Sequence, residues 1–338
     1  ERENKMLRKE ISQQFDYSSI VTKSQSMQSI LETIQKISHT TSNVLFLGES
    51  GTGKGALARA LHYNGVTSNK PFVVVNCGGL TDSLIESELF GYRRGAFTGA
   101  DTDRIGYFEA ANGGTLFLDE ISSLPFQSQA VLLRAIEDKA IIRVGDTRAR
   151  KVNIRIISAT NCDLDDAIKS SQFREDLYYR LNIIRITLPP LRERLEDIPV
   201  LIDHFVTKYN LELKSNSPGF SPEALDAMCA HRWPGNVREL ENVVERALIF
   251  ANDRPVELQD LPMTIGAGVT SPSTTLDLRS ACRDFERSHV IKVLARFENN
   301  KAAAAEALGI GLSSLYRKME EMQSSGSPPD QAADVGEA

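Results

Sequence analysis

Short, mainly apolar runs alternate along the chain with stretches in which apolar residues recur every three or four positions. Five runs have the length and composition of buried strands: Val44-Leu45-Phe46-Leu47, Phe72-Val73-Val74-Val75, Thr115-Leu116-Phe117-Leu118, Ile154-Arg155-Ile156-Ile157 and Ile183-Ile184-Arg185-Ile186. Residues 26–37 predict an amphipathic helix before the first run, with Met27, Ile30, Leu31, Ile34 and Ile37 on one face. Helical segments separate the later runs. Buried strands alternating with helices predict an α/β fold, a parallel sheet covered on both faces. Ligands of such sheets sit beyond the carboxyl ends of the strands. Asn76, Asp119, Glu120 and Asn161 fall at or just past those ends.

Beyond Leu191 the pattern is helical throughout. Residues 198–209 read as one helix. Residues 221–230 read as a second, with Ser221 as N-cap and Pro222 at the first position. A turn at Trp233-Pro234-Gly235-Asn236 leads to a third at 237–250. Residues 252–275 are rich in Gly, Pro, Ser and Thr and read as a linker. A small all-helical module follows: a helix at 285–297, a second at 301–308, the turn Gly309-Ile310-Gly311 and a third at 312–322. Residues 1–15 are charged and helix-prone, with Leu7, Ile11 and Phe15 four apart, and 324–338 have the composition of a disordered tail.

The stretch with most chemistry is Gly48-Glu49-Ser50-Gly51-Thr52-Gly53-Lys54-Gly55, between the first strand and the helical pattern that starts at Ala56. Strand, glycine-rich loop and helix together form the context of a phosphate-binding loop. The glycines let successive N–H groups point at an anion, the helix adds its dipole, and Lys54 supplies a mobile charge. Gly55 stands where the general pattern places a hydroxyl for Mg2+. By itself the segment also fits a glycine-rich turn opening an ordinary helix. Asp119-Glu120, in register with this loop, can hold Mg2+ through Asp119 and polarise water through Glu120. A solvated acidic turn is the plainer alternative for such a pair. In the C-terminal module, Ser313, Ser314, Tyr316, Arg317 and Lys318 sit where a DNA-reading helix-turn-helix makes contact. Eight Lys/Arg against seven Asp/Glu over residues 276–322 leave that module nearly neutral, which also suits a protein-contact or dimerisation module.

With 338 residues, 41% hydrophobic and 25% charged, the chain has room for two or three domains. The net charge of −6 confines any nucleic-acid contact to a local patch. Cys77, Cys162, Cys229 and Cys282 form no C-x-x-C pair and read as reduced thiols of a cytoplasmic protein. No apolar stretch spans a bilayer, and no signal peptide opens the chain. The first residue is Glu1 rather than Met, so a natural N-terminal part is expected upstream.

Glu86-Ser87-Glu88-Leu89-Phe90-Gly91 followed by Gly95-Ala96-Phe97-Thr98-Gly99-Ala100 narrows the reading. A buried hairpin phenylalanine would not explain small residues on both sides of Phe97-Thr98. The sequence resembles the bacterial enhancer-binding proteins, AAA+ ATPases that activate the sigma-54 form of RNA polymerase and carry a GAFTGA loop. The resemblance covers residues 20–261, with a Fis-like helix-turn-helix after it. It implies a three-layer AAA+ P-loop fold with a helical lid. The implied divisions are 1–18, the end of a linker helix from a missing regulatory domain; 19–188, the α/β subdomain; 189–262, the lid; 263–275, a linker; 276–322, the DNA-binding domain; and 323–338, a tail.

The resemblance further implies roles. Gly48 to Lys54 match Walker A, and Asp119 and Glu120 match Walker B. Asn76 matches an asparagine that switches the catalytic glutamate, and Asn161 matches sensor I. Arg174 and Arg180 match arginine fingers used across a subunit boundary, and Arg238 matches sensor II. Phe97 and Thr98 match the tip that touches the sigma factor, and 144–151 match a second pore loop. Ile20 and Val21 fall where the adenine pocket begins. The family usually has Glu at the position of Gly55, and often a basic residue where Gly311-Leu312 stands. The implied protein is an ATP-hydrolysing activator that uses ATP and Mg2+, binds double-stranded enhancer DNA, assembles from dimers into a hexameric ring and remodels the sigma-54 polymerase closed complex, without a membrane. A non-hydrolysing ATP- and DNA-binding regulator is one rival, and an AAA+ chaperone or helicase loader is another. Glu120, Arg174 and Arg180 speak against the first, and the GAFTGA segment against the second.

Overall fold

Five of the apolar runs come together as one parallel sheet. In chain order the strands are β1 (Val44–Leu47), β2 (Phe72–Asn76), β3 (Gly91–Tyr92), β4 (Arg104–Ile105), β5 (Thr115–Asp119), β6 (Ala140–Ile141), β7 (Arg150–Lys151), β8 (Arg155–Thr160) and β9 (Ile184–Thr187). The large sheet has the order β2-β5-β8-β1-β9, with all neighbours parallel. β3 pairs with β4, and β6 with β7, as short antiparallel ribbons. The computed structural model describes residues 17–79, 82–266, 286, 290, 293, 297 and 300–324. The expected helix at 1–15, linker residues 267–275, most of the helix at 285–297 and the tail from 325 lie outside the described residues.

Strand alternation sorts the core into two faces. Leu45, Leu47, Leu116, Leu118 and Ile156 join the helices Asp82–Phe90, Phe126–Asp138 and Glu175–Leu181 through Ile85, Leu89, Leu132 and Leu177. On the other face Val44, Phe46, Phe117, Ile157 and Ile186 pack with Leu57, Ala58 and Leu61 of helix Lys54–Tyr63 and with Met27 and Ile34 of helix Gln25–Ser38. The three-layer α/β reading is therefore the observed one. β8 starts one residue later than its apolar run and continues to Thr160, because all six of its residues are buried, Ser158 and Thr160 included. Asn76 lies opposite Asp119 in the register, and Leu47 opposite Thr160, so the polar residues beyond the apolar runs share one edge.

A separate helical core, around Trp233, Leu240, Val244, Phe205 and Met228, forms the lid. Its helices are Asp197–Leu213, Pro222–Ala230 and Asn236–Ala251. Ser221 caps the second, its hydroxyl accepting from Ala224 N–H, with Pro222 at the first turn. The linker expected from residue 252 needs correction: Val256, Leu261 and Ile265 are buried in the lid core. The first compact unit runs Glu1–Gly266, and the second Ala267–Ala338.

In the second unit, helix Lys301–Ala307 meets helix Leu312–Ser324 around Ala305 and Leu315, with Val290 buried beside them. Gly309 turns the chain at φ +67°, and Ile310 N–H closes the turn on the Ala305 carbonyl. A left-handed residue here favours glycine. The last helix passes its expected end at 322 and reaches Ser324.

Below the sheet edge opposite the phosphate loop, two basic groups are buried. Arg155 is 2% exposed and donates to the carbonyls of Ser42 and Ile37; burial pulls its pKa down to about 10. His62 is fully buried, with Nδ1 against the hydroxyls of Thr115 and Thr67 at 2.8 and 3.2 Å. Burial, opposed by a backbone hydrogen bond at Lys70 and reinforced by Arg155, lowers its pKa from 6.5 to about 4. Since the folded state holds His62 neutral, its contribution is fully present above pH 6.5 and is lost as pH falls through about 4. The whole effect is on the order of 3 kcal/mol. Denaturant unfolding measured from pH 7 to pH 4 should show a steeper loss of stability in the wild type than in His62→Gln. Parallel curves would remove His62 from the pH dependence.

Candidate functional site

The phosphate loop is shaped by three glycines with positive φ: Gly48 (+148°), Gly51 (+79°) and Gly53 (+107°). Gly53 sits at the N-terminus of helix Lys54–Tyr63, so the helix dipole and the loop amides converge on one spot. Lys54 Nζ donates to the carbonyls of Gly48 and Glu49 at 2.6 and 2.9 Å. Burial lowers its pKa, while the charges of Asp119 and Glu120 raise it; Arg238 lowers it and Cys162 raises it. Lys54 follows β1 and Asp119 ends β5 on the same sheet, and Arg238 reaches the loop through Ser50. A β-carbon at Gly55 would make ordinary van der Waals contact, with Arg59 Nη1 at 3.6 Å and the Phe117 ring at 3.9 Å.

Asp119 ends β5 and accepts from Glu120 N–H at 3.1 Å. Glu120 takes a left-handed conformation at φ 54°, ψ 46°, uncommon for a residue with a side chain. Its carboxylate occupies the space beside Gly78, where a β-carbon would lie 2.3 Å from Oε2. Asn76 is adjacent, its Oδ1 accepting from Gly78 N–H at 3.0 Å. Asn161 lies just past β8, accepting from Cys162 Sγ at 3.3 Å.

The lid closes over the loop from the other side. Arg238 Nη1 donates to Ser50 Oγ at 3.2 Å, and a hollow of about 360 Å³ between them is lined by Ser50, Gly235, Arg238, Glu239 and Asn242. Asn236, fully buried at φ +54°, donates through Nδ2 to the Glu49 carboxylate and the Ser50 carbonyl at 3.1 and 3.0 Å. Its Oδ1 accepts from Leu191 N–H at 2.7 Å. Val237 N–H donates to the Gly51 carbonyl at 3.0 Å. Arg192 forks onto Glu49 at 2.8 and 2.7 Å, and this pair, with Asn236, holds the Glu49 pKa down at about 2. Arg194 Nη2 donates to the Thr52 carbonyl at 2.8 Å.

Asn236, Arg192 and Arg194 escaped the sequence reading. Asn236 was visible only as part of a turn, and no motif marks either arginine. Ile20 and Val21 bridge the subdomains: Ile20 packs on the sheet core and Val21 on the lid core. Arg174 and Arg180 make their contacts elsewhere. Arg174 pairs with Asp176 at 2.7 Å over the Phe126 ring; the exposed Arg180 accepts from Asn43 Nδ2 through its carbonyl at 3.0 Å.

Phe97 and Thr98 stand at the tip of the β3–β4 hairpin. Gly95 and Gly99 flank them at φ +83° and +99°, with open space around each, so backbone angle rather than crowding calls for glycine there. Ala100 N–H closes on the Phe97 carbonyl, and Gly95 N–H on the Ala100 carbonyl. Phe97 is 41% exposed, its ring edge-on to Tyr92. The loop at 144–151 is zipped to this hairpin. Arg93 N–H donates to the Val144 carbonyl, and Val144 N–H to the Gly91 carbonyl. Arg93 also pairs with Asp103 and Asp146, and Glu109 with Arg143 and Arg150.

In the second unit Ser313, Tyr316 and Arg317 are exposed on helix Leu312–Ser324, and Ser314 and Lys318 are half-buried. Lys301 lies over the Tyr316 ring at 4.8 Å, and Lys318 pairs with Glu286 at 2.5 Å. Gly311 precedes the helix, and Leu312 opens it.

Family models match three consecutive segments: the sigma-54 interaction domain at 20–187, the AAA+ ATPase lid domain at 192–277, and the Fis family of bacterial regulatory proteins at 281–322. Regulatory protein AtoC of Escherichia coli is 42% identical over 327 residues, covering 95% of this chain and 71% of its own. The alginate biosynthesis transcriptional regulatory protein AlgB of Pseudomonas putida is 47% identical over 298 residues, 88% of this chain and 66% of its own. The chain thus spans about two thirds of the length of these relatives. The crystal structures of NtrX from Brucella abortus in complex with ADP and with ATP each superpose with a TM-score of 0.70 at 35% identity over 90% of this chain, covering 70% and 69% of their own.

Two glycines test the loop geometry. In Gly51→Ala the new β-carbon would lie 2.2 Å from the Gly235 carbonyl oxygen, so the lid must lift from the loop. Affinity for an ATP analogue should fall at least tenfold. Gly55→Ala meets only ordinary van der Waals contacts and should keep its affinity, with stability raised by about 0.4–1 kcal/mol. Equal affinities for the two variants would contradict the lid contact.

Proposed function

The chain belongs to the sigma-54-dependent AAA+ transcriptional activators with a Fis-type DNA-binding module, and from that premise we propose that it is an ATP-hydrolysing remodeller of the sigma-54 polymerase closed complex. The observation that carries this reading is the placement of Lys54 just past β1 and of Asp119 and Glu120 at the end of β5, with Arg238 reaching the loop from the lid through Ser50, in the same compact unit as the exposed Phe97-Thr98 tip.

The amides of Gly51 to Lys54 and the dipole of helix Lys54–Tyr63 receive the phosphates of ATP, with Lys54 exchanging its carbonyl partners for phosphate oxygens. Asp119 is the residue that would hold Mg2+, directly or through water, and the ion would neutralise charge on the phosphates. Glu120 orients and polarises the attacking water, and Asn76, two residues from Gly78, is placed to switch it. Asn161 and Arg238 sense the γ-phosphate from the sheet and from the lid. Arg174 and Arg180, whose contacts are with Asp176, Phe126 and Asn43 rather than with the phosphate loop, serve a neighbouring subunit, which requires a ring. Ile20 and Val21 border the base.

A covalent path joins the chemistry to the tip. Gly78 abuts Glu120, helix Asp82–Phe90 starts shortly after, and β3 follows it directly. A change of Glu120 on hydrolysis can thus be transmitted along the helix to Phe97 and Thr98. Phe97 offers an apolar anchor and Thr98 a small polar contact for the sigma factor. Ser313, Ser314, Tyr316, Arg317 and Lys318 read enhancer DNA, with Lys318 exchanging Glu286 for phosphate.

A paired assay tests both ends. Glu120→Gln should bind ATP normally and lose at least a hundredfold in turnover. Thr98→Ala should hydrolyse ATP at near the wild-type rate and fail to hold sigma-54 in the presence of an ATP transition-state mimic. Near-normal turnover in Glu120→Gln would place the chemistry elsewhere, and sigma-54 capture by Thr98→Ala would remove the tip from the mechanism.

A further inference from the structure

We propose that Arg194 is a positioning residue for the phosphate loop, and that buried Asp197 sets it according to whether the segment Thr22-Lys23-Ser24 is docked. This rests on the ATP-binding reading above. Asp197 is fully buried. Its Oδ1 accepts from the amides of Lys23 and Ser24 at 2.5 and 2.8 Å, and Thr22 Oγ1 donates to both oxygens at 2.8 and 2.9 Å. The remaining charged neighbour is Arg194, 4% exposed, with Nη1 at 3.7 Å from Asp197 Oδ2. The same guanidinium reaches the Thr52 carbonyl through Nη2 at 2.8 Å. Thr52 is itself buried, with its hydroxyl on the Glu49 carbonyl. An unbroken polar chain therefore runs from the segment that precedes helix Gln25–Ser38, through the lid, into the middle of the phosphate loop.

The distances give the chain a direction. The guanidinium lies nearer the loop carbonyl than the carboxylate, because three donors from Thr22-Lys23-Ser24 already satisfy Asp197. Were the segment to undock, the carboxylate would lose all three donors and keep Arg194 at 3.7 Å as its charged partner. The guanidinium, itself 4% exposed, would be drawn toward the freed carboxylate and would release Thr52. Thr52 lies two residues before Lys54, so the amides that receive phosphate would lose their fixed aim. Docked and undocked are thus two alternative arrangements of one charged pair, and the loop follows whichever is occupied. The segment is well placed to report on events upstream: Ile20 and Val21 just before it already rest on the two separate cores.

A double-mutant cycle on the full chain tests the coupling. Thr22→Val removes a hydroxyl at nearly constant shape and should weaken binding of a fluorescent ATP analogue about tenfold. Arg194→Met should weaken it at least as much. In the Arg194→Met background Thr22→Val should cost less than a further twofold. Multiplying effects would mean that Thr22 acts through the neighbouring adenine border and would overturn the proposal. Should Arg194→Met fail to fold, Arg194→Lys, which keeps the charge but loses the fork, takes its place in the cycle. Amide hydrogen exchange without nucleotide separates this from failure of the ATP reading. Thr22→Val should speed exchange at Gly51 to Lys54 in the wild-type background and not in the Arg194 variant. Unchanged exchange at those amides in Thr22→Val would overturn the coupling whether or not ATP binds.

Discussion

The side-chain amide of Asn236 is the contact on which the rest of the site depends. It is buried in the seam between lid and sheet and spends both ends there: Nδ2 on Glu49 and Ser50, Oδ1 on the amide of Leu191. A buried amide left without partners is costly, and so are the loop carbonyls it serves. The left-handed backbone of Asn236 is the geometry that aims it. Around it Val237, Arg192, Arg194 and Arg238 each hold a different residue of the loop, Gly51, Glu49, Thr52 and Ser50 in turn. The phosphate loop is therefore built by two subdomains at once. A ligand that changes the loop must shift the lid, and a lid displaced by a neighbour must change the loop.

The hairpin end is put together differently. The hairpin from Gly91 to Asp103 and the loop at 144–151 share two backbone hydrogen bonds, and ion pairs among Arg93, Asp103, Asp146, Arg143, Glu109 and Arg150 surround them. Most of these side chains are partly in water, where a single pair adds ~0–1 kcal/mol. Such a network keeps the loops together while letting partners exchange. Gly95 and Gly99, open on all sides, permit the tip to follow. Tight packing at the phosphate end and exchangeable pairs at the hairpin end suit a unit in which the chemistry is fixed and the contact moves.

Much of this was legible in the sequence, for local reasons. A buried strand announces itself by four or five apolar residues, and the glycines at 48, 51, 53, 95 and 99 mark backbone angles that a neighbour in sequence cannot hide. Phe97, framed by such glycines, was readable as exposed. The lid contacts were not legible, because their partners lie far apart: Asn236 and Ser50 are 186 positions from each other, Arg194 and Thr52 142. Nothing near Asn236 distinguishes it from any turn asparagine, and Asp197 reads as an ordinary first-turn carboxylate. The left-handed Glu120 was equally invisible, since its carboxylate fills the space beside Gly78, far from it in sequence. Residues 252–266 looked like linker because the stretch 252–275 is rich in Gly, Pro, Ser and Thr, yet Val256, Leu261 and Ile265 complete the lid core.

The most direct test of the account is the affinity of Asn236→Ala for ATP, measured by titration calorimetry beside Asn242→Ala, a change in the neighbouring hollow that leaves the seam intact. If the lid builds the loop, loss of the amide should weaken ATP binding about a hundredfold while far-ultraviolet circular dichroism stays native, the size expected for a buried amide with a charged partner. Asn242→Ala should stay within threefold of the wild type. An Asn236→Ala protein that binds ATP within threefold of the wild type would show that the loop holds its shape without the lid and would contradict the account.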